Sequence, residues 1–246
     1  MKELIELLSQ YDPSYPRHLR GVSSEELAEL ERLVGRPLPE RLRGFLRLMG
    51  RESGDWLSAE VRVRFDAIWQ FYLEKERHRL SPRYIFIAAR EQSPDRTYFC
   101  DCGLLAEAED CQVVYVRQGM ALHRGGSFAF SFPSLKDMLF REAFQSKRMA
   151  ILPYRAVLRP ADRTADYGAA ETAAMVMEEL ADLMPRLGFQ RLPQTSALNP
   201  LFERGDAALS AHNASDPGDM CVVLATANER ERDRLLEALM DTTLLV

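Results

Sequence analysis

The chain has 246 residues, with 46% hydrophobic and 28% charged side chains and a formal net charge of −5. That composition belongs to a folded chain able to bury one large core or two modest ones, and it excludes disordered, collagen-like and coiled-coil proteins. The charge is uneven: residues 1–147 carry 22 basic and 22 acidic side chains and residues 148–246 carry 10 and 15, the reverse of the basic surface that nucleic-acid binding requires.

Lys2 to Leu8 has the apolar spacing of a short amphipathic helix, which Pro13 and Pro16 end. The next helix is well signalled. Ser23 and Glu26 have the spacing of a capping box, Leu27, Leu30, Leu33 and Val34 form a core stripe, and Gly35 stops it. After Leu38, Pro39 suits the first turn of a second helix, with Leu42, Phe45, Leu46 and Met49 inward and Gly50 as its stop. Arg41, Arg43, Arg47 and Arg51 on this helix read as a solvated face balanced by Glu40 and Glu52. A third helix is expected over 59–78.

Strands follow at 84–89, 97–102, 112–118 and 127–132, separated by short turns, which predicts an antiparallel meander. Pro133-Ser134 introduces a helix to Phe144, and Lys147 to Met149 marks a junction. Beyond it the pattern predicts a strand at 150–158, a helix at 169–187 with small residues Ala169, Ala170, Ala173 and Ala174 for close packing, strands at 201–212 and 220–226, and a helix at 229–240. The fold class is α+β. It comprises a domain at 1–147 with helices on a largely antiparallel sheet, then a small acidic β-α-β-β-α domain at 148–246 with its helices on one face.

No apolar run is long enough to span a bilayer, and the N-terminus lacks the apolar core of a secretory signal. The expected location is the cytoplasm, where the four cysteines, Cys100, Cys102, Cys111 and Cys221, read as buried thiols. Arg outnumbers Lys by 28 to 4, a bias associated with GC-rich bacterial genomes.

Chemistry-bearing patterns are sparse. The four histidines, His18, His78, His123 and His212, lie on separate elements, and neither Gly-x-Ser-x-Gly nor a phosphate-binding loop is present. Cys100, Cys102, Cys111 and His123 do not have the paired spacing of a zinc knuckle. The reading is a non-enzyme with no catalytic residues, metal or cofactor. Its expected partner is another protein, with no direct contact to nucleic acid or membrane. Candidate contact residues are Asp55 and Trp56 in a loop, Glu107, Glu109 and Asp110 between two strands, and Asp216 and Asp219 in the second domain. Trp56 fits either a surface anchor or a plug at the end of the sheet.

The run from Ser24 to Gly50, two helices joined at Leu38-Pro39 with Phe45 in the second, resembles the opening of the SUKH superfamily. Later stretches resemble its strands and closing helix in the same order: Phe86 to Ala89, Tyr98 to Asp101, Val113 to Tyr115, and Phe130 to Leu139. Met49-Gly50 stands where that family often has Asn-Gly, and Pro94-Asp95-Arg96 replaces a glycine-bearing turn. The likeness covers residues 20–145. It implies function by binding: bacterial members are mostly immunity proteins that neutralise a toxin, often a nuclease or deaminase, and fungal members regulate cell-wall synthesis. The expectation is an immunity protein that blocks a cognate toxin's active site, with a non-catalytic regulatory scaffold as the alternative.

Overall fold

The computed structural model describes residues 1–58, 61–74, 81–89, 96–103, 109–117, 128–161, 168–213 and 220–246. The chain divides into two compact units, Met1–Ala143 and Phe144–Val246. Both are α+β with antiparallel sheets.

The first unit begins with α1 (Lys2–Tyr11), a short 3-10 turn, α2 (Ser24–Val34) and α3 (Glu40–Met49). The capping box forms as the spacing predicts, with Ser23 and Glu26 each accepting the other's backbone N–H, at 3.2 and 3.0 Å. Gly35 closes α2 at φ 81°, a left-handed conformation that favours glycine. Gly50 closes α3 as expected, with φ −68°, and its missing side chain makes room. A Cβ there would lie 2.6 Å from the Leu46 carbonyl oxygen and 2.9 Å from Val22.

The strand-like segment at Arg20–Val22 crosses the C-terminal end of α3. Val22 N–H donates to Leu46 O at 3.0 Å, and Arg20 bridges Glu52. At the crossing, a Cβ on Gly21 would sit 1.8 Å from the Arg47 carbonyl oxygen, so only glycine fits. The arginines of α3 pair with carboxylates distant in sequence more than with the expected neighbours. Arg43 binds Glu31 and, at 3.7 Å, the expected Glu40, Arg41 binds Asp110, and Arg51 just past the helix binds Glu26 and Asp66, while Glu52 pairs with Arg20. Glu31 also accepts Leu38 N–H at 2.8 Å, which fastens the turn between the two helices.

The third helix, α4, runs Phe65–Leu73 and is shorter at its start than the apolar spacing suggests. Residues 61–64 are not helical, because Val61 and Val63 are both buried and Arg64 holds the extended conformation of an N-cap. The expected extension through 75–78 lies outside the described residues. Phe71 of α4 stacks on Phe86 with ring centroids 4.1 Å apart, and meets Phe99 edge-on. Strands β1 (Tyr84–Ala89), β2 (Arg96–Asp101), β3 (Gln112–Arg117) and β4 (Ala129–Phe132) form the expected meander in the order β1-β2-β3-β4. Helix α5 (Leu135–Ala143) completes the unit.

The second unit opens with a π-helical turn, Phe144–Met149. It continues with β5 (Tyr154–Leu158), α6 (Ala169–Arg186), β6 (Gln190–Arg191), β7 (Leu201–Arg204), β8 (Ala207–His212), β9 (Cys221–Thr226) and α7 (Glu229–Thr242). The sheet order is β5-β9-β8-β7-β6. Two details depart from the β-α-β-β-α expectation. Residues 201–212 are a tight hairpin of two strands that turns at Gly205-Asp206, and β6 is a two-residue exposed strand with no apolar pattern to reveal it. Of the four alanines expected to permit close packing, Ala173 is buried; Ala170 and Ala174 face outward.

Val176, Leu180, Leu183 and Met184 of α6 join Leu235 and Leu239 of α7 over Phe202, Leu209, Ala211, Val222 and Leu224 of the sheet. Arg148 is buried and ties the π turn to the hairpin. Its guanidinium bonds Glu203 at 3.1 Å and donates to the carbonyls of Arg204, Gly205 and Ala207. On α7, hydrogen bonds from Arg234 first and then Arg204 hold the Glu231 carboxyl down at about 2.

Two outcomes follow from this architecture. Gly21→Ala forces the 20–22 segment off α3 and lowers stability by about 3 kcal/mol, read as a fall in thermal midpoint. A carboxyl depressed by folding stabilises above its unfolded value and loses that contribution as pH falls through its folded value. Between pH of about 4.5 and 2, wild-type protein therefore loses stability that Glu231→Gln has already lost, and the two pH–stability curves converge at the acid end.

Candidate partner-binding surface

The acidic stretch before β3 is only partly available to a partner. Glu109 is exposed, and its backbone carbonyl accepts the N–H of Arg41 at the start of α3 at 2.8 Å. Asp110 is part-buried and fully engaged. Its Oδ1 accepts the N–H groups of Cys111 at 2.8 Å and Leu135 at 3.1 Å, and its Oδ2 accepts from Arg41 at 3.3 Å and Lys136 at 3.4 Å. Helix N-termini leave N–H groups without intrahelical partners, and a carboxylate there is favoured by the helix dipole. Asp110 therefore caps α5, together with Ser134, whose hydroxyl accepts Asp137 N–H at 3.0 Å. Asp110 thus has a structural role in this corner of the fold.

The neighbouring surface carries both signs. Lys136 bonds Glu3 at 2.9 Å, and that interaction first of all holds the Glu3 carboxyl below its ordinary range.

Trp56, the aromatic of the expected contact set, is enclosed by the fold. It is 1% exposed, so a partner has nothing of it to touch. Its indole N–H donates to the Tyr15 hydroxyl at 2.8 Å, the hydroxyl donates to the Ser53 carbonyl at 2.9 Å, and the ring meets Phe45 edge-on at 6.5 Å. Burial pushes the Tyr15 phenol above its ordinary range. Trp56 thus anchors its loop to the helical layer. Asp55 beside it is exposed. Glu107, Asp216 and Asp219 lie outside the described residues. The exposed carboxylates available for contact among the described candidates are those of Asp55 and Glu109.

The cysteines also differ from the expected set of thiols. Cys100 and Cys111 are joined in a disulfide, with Cα atoms 5.4 Å apart. The β2–β3 register, with Asp101 opposite Gln112, brings Cys111 back alongside the end of β2. Cys102 is part-buried, and burial raises its thiol above its ordinary range. Among the described residues no group of three or more His, Cys, Asp or Glu side chains is placed to hold a metal ion; His123 lies outside them. No helix among the described residues is long and apolar enough to cross a membrane.

With a capped helix pair, a four-stranded meander and a closing helix in place, the sequence model of the SMI1 / KNR4 family (SUKH-1) matches residues 21–141. The first unit carries a SUKH-1 domain. The matched stretch opens at Gly21, where the chain crosses α3, and ends in α5, so α1 and the whole second unit fall outside it. SUKH-1 proteins are generally non-catalytic and act in immunity or regulation. No curated protein and no solved structure matches the chain.

The role of Asp110 within the SUKH-1 domain has a measurable consequence. Asp110→Ala removes the acceptor of two helix N–H groups and the partner of Arg41, at a cost of about 2 kcal/mol in denaturant unfolding. Asp110→Asn keeps an amide oxygen at the cap and recovers about half of the loss.

Proposed function

We propose that this protein is an immunity protein that binds a cognate bacterial toxin, of the nuclease or deaminase kind, and neutralises it by blocking its active site. The observation that carries the reading is the SUKH-1 match over residues 21–141, since that domain type includes toxin-immunity members. Inhibition by occlusion asks nothing of the inhibitor but a stable, complementary surface. The engaged Asp110 and buried Trp56 contribute to stability, which leaves Asp55 and Glu109 to contribute to the surface.

Charge supports the same partner class. An enzyme acting on nucleic acid binds phosphates with basic side chains, and carboxylates opposite that surface speed encounter and reject wrong partners. Glu107, Asp216 and Asp219 complete the proposed acidic contact set. The proposed setting is the cytoplasm of a bacterium, where the chain meets a toxin made by its own or a neighbouring cell.

Co-expression with toxin domains encoded beside the gene tests the proposal directly: one of them should become harmless only when this chain is present. If none is neutralised and none binds the purified protein, the reading fails. For the cognate toxin, Glu109→Lys combined with Asp55→Lys slows association about tenfold at low salt while leaving the thermal midpoint within a degree or so, and the deficit shrinks as ionic strength rises.

A further inference from the structure

Strand β5 lies at one end of the second sheet's strand order, beside β9, and Leu158 stands opposite Val222 where the two strands part. Just past that point the segment Leu244–Val246 pairs with 159–161. Arg159 and Val246 exchange both backbone hydrogen bonds, at 3.0 and 2.8 Å, and Ala161 N–H donates to Leu244 O at 2.7 Å. Arg159 thus turns its N–H and C=O to Val246 and away from β9. The backbone groups of a strand alternate between its two sides, so those of Val157 and Arg155 point the same outward way. Among the described residues nothing pairs with these four groups.

The side chains follow the same period. Leu158 packs in the core with α6 and α7, so Arg155, Val157 and Arg159 project from the opposite face. Val246, opposite Arg159, and Val223, opposite Val157, share that face. Val157 is 62% exposed, Val246 is 61% exposed, and Val223 is partly so. An apolar strip therefore runs beside an open ladder. Exposed edges are usually blunted by charge, proline or short length. Pro153 and Pro160 bound this one, yet its central side chain is a valine open to solvent.

Arg155 adds a charge to the strip. It is exposed, and one guanidinium nitrogen donates to Met149 O at 3.0 Å. Among the described residues it meets no carboxylate, although residues 148–246 carry 15 acidic side chains against 10 basic ones. What complements this edge is an extended backbone bearing an apolar side chain and, two residues along, an acid.

We infer that the outer edge of β5 is a docking site for a short extended segment of a partner protein, which adds to the sheet as a further strand. Hydrogen bonds to the outward groups of Arg155 and Val157 hold its backbone. An apolar side chain opposite Val157 covers the valines, and a carboxylate opposite Arg155 pairs with the guanidinium. The pairings in this sheet are antiparallel, so the segment reads apolar-x-acidic along its own chain. A second copy of β5 complements the edge less well. Two-fold antiparallel pairing of the outward residues sets Arg155 opposite an arginine or opposite Val157 of the other copy, which either repels or leaves the cation without a carboxylate. The site lies outside the matched family domain and does not depend on what the SUKH-1 domain binds.

The test titrates the full, isotope-labelled chain with a capped synthetic peptide, Ser-Thr-Val-Thr-Glu-Thr-Ser, and follows the backbone amides by NMR. The expected result is saturable shifts centred on Arg155 and Val157, with a Kd on the order of 1 mM. Replacing the glutamate of the peptide by lysine weakens binding about fivefold, and Arg155→Glu in the protein reverses that preference. Val157→Pro removes an outward N–H and leaves the ladder to β9 intact, so the chain folds and loses the peptide. No saturable shift at β5 up to about 10 mM peptide overturns the inference, and so does an Arg155→Glu chain that keeps the wild-type preference. A wild-type dimer in sedimentation that Val157→Pro converts to monomer assigns the edge to a second copy and overturns it as well.

Discussion

One carboxylate organises the first unit. Asp110 accepts from its neighbour Cys111, from the first turn of α5 and from Arg41 of α3. These donors belong to three separate pieces of chain, and each would otherwise leave a polar group unsatisfied or dependent on water. Because β3 begins at Gln112, the position of this side chain also fixes where the sheet meets both helices. The disulfide from Cys111 to Cys100 secures the same corner from the sheet side. Further along α3 the constraint is steric: the chain passes so close to the Arg47 carbonyl that Gly21 has no room for a side chain.

What was legible in the sequence was local. Ser23, Glu26 and Gly35 announce the ends of α2 within a few residues of where they act, and the alternating apolar runs of the meander identify their own strands. These local signals, in order, carried the resemblance to the family. What was hidden depends on partners far along the chain. Trp56 looks like a surface aromatic until Tyr15, 41 positions away, accepts its N–H. Asp110 looks like one acid in a polar loop until α5, 25 positions on, supplies its donors. The short start of α4 and the turn at Gly205-Asp206 were missed for another reason. Apolar spacing at 59–64 fits two conformations, and a nearly continuous apolar run over 201–212 fits one long strand as well as two short ones.

Residues chosen for charge or aromaticity divide into those consumed by the fold and those left outside it. The proposed interface consequently rests on exposed carboxylates and not on a buried aromatic anchor, which places recognition in encounter and fit.

Arg148 bears on how the chain can be divided. Its guanidinium reaches the carbonyls at the tip of the β7–β8 hairpin, so the π turn that presents it is a working part of the second sheet. Sequence pattern alone would cut the chain within that turn, between 147 and 148. A cut there would keep Arg148 with its acceptors but remove residues 144–147 of the turn that presents it, and a fragment beginning at 150 would expose three carbonyls built to meet a cation. The natural scission point for producing either half separately is before Phe144, where α5 has ended and no acceptor of Arg148 has been left behind.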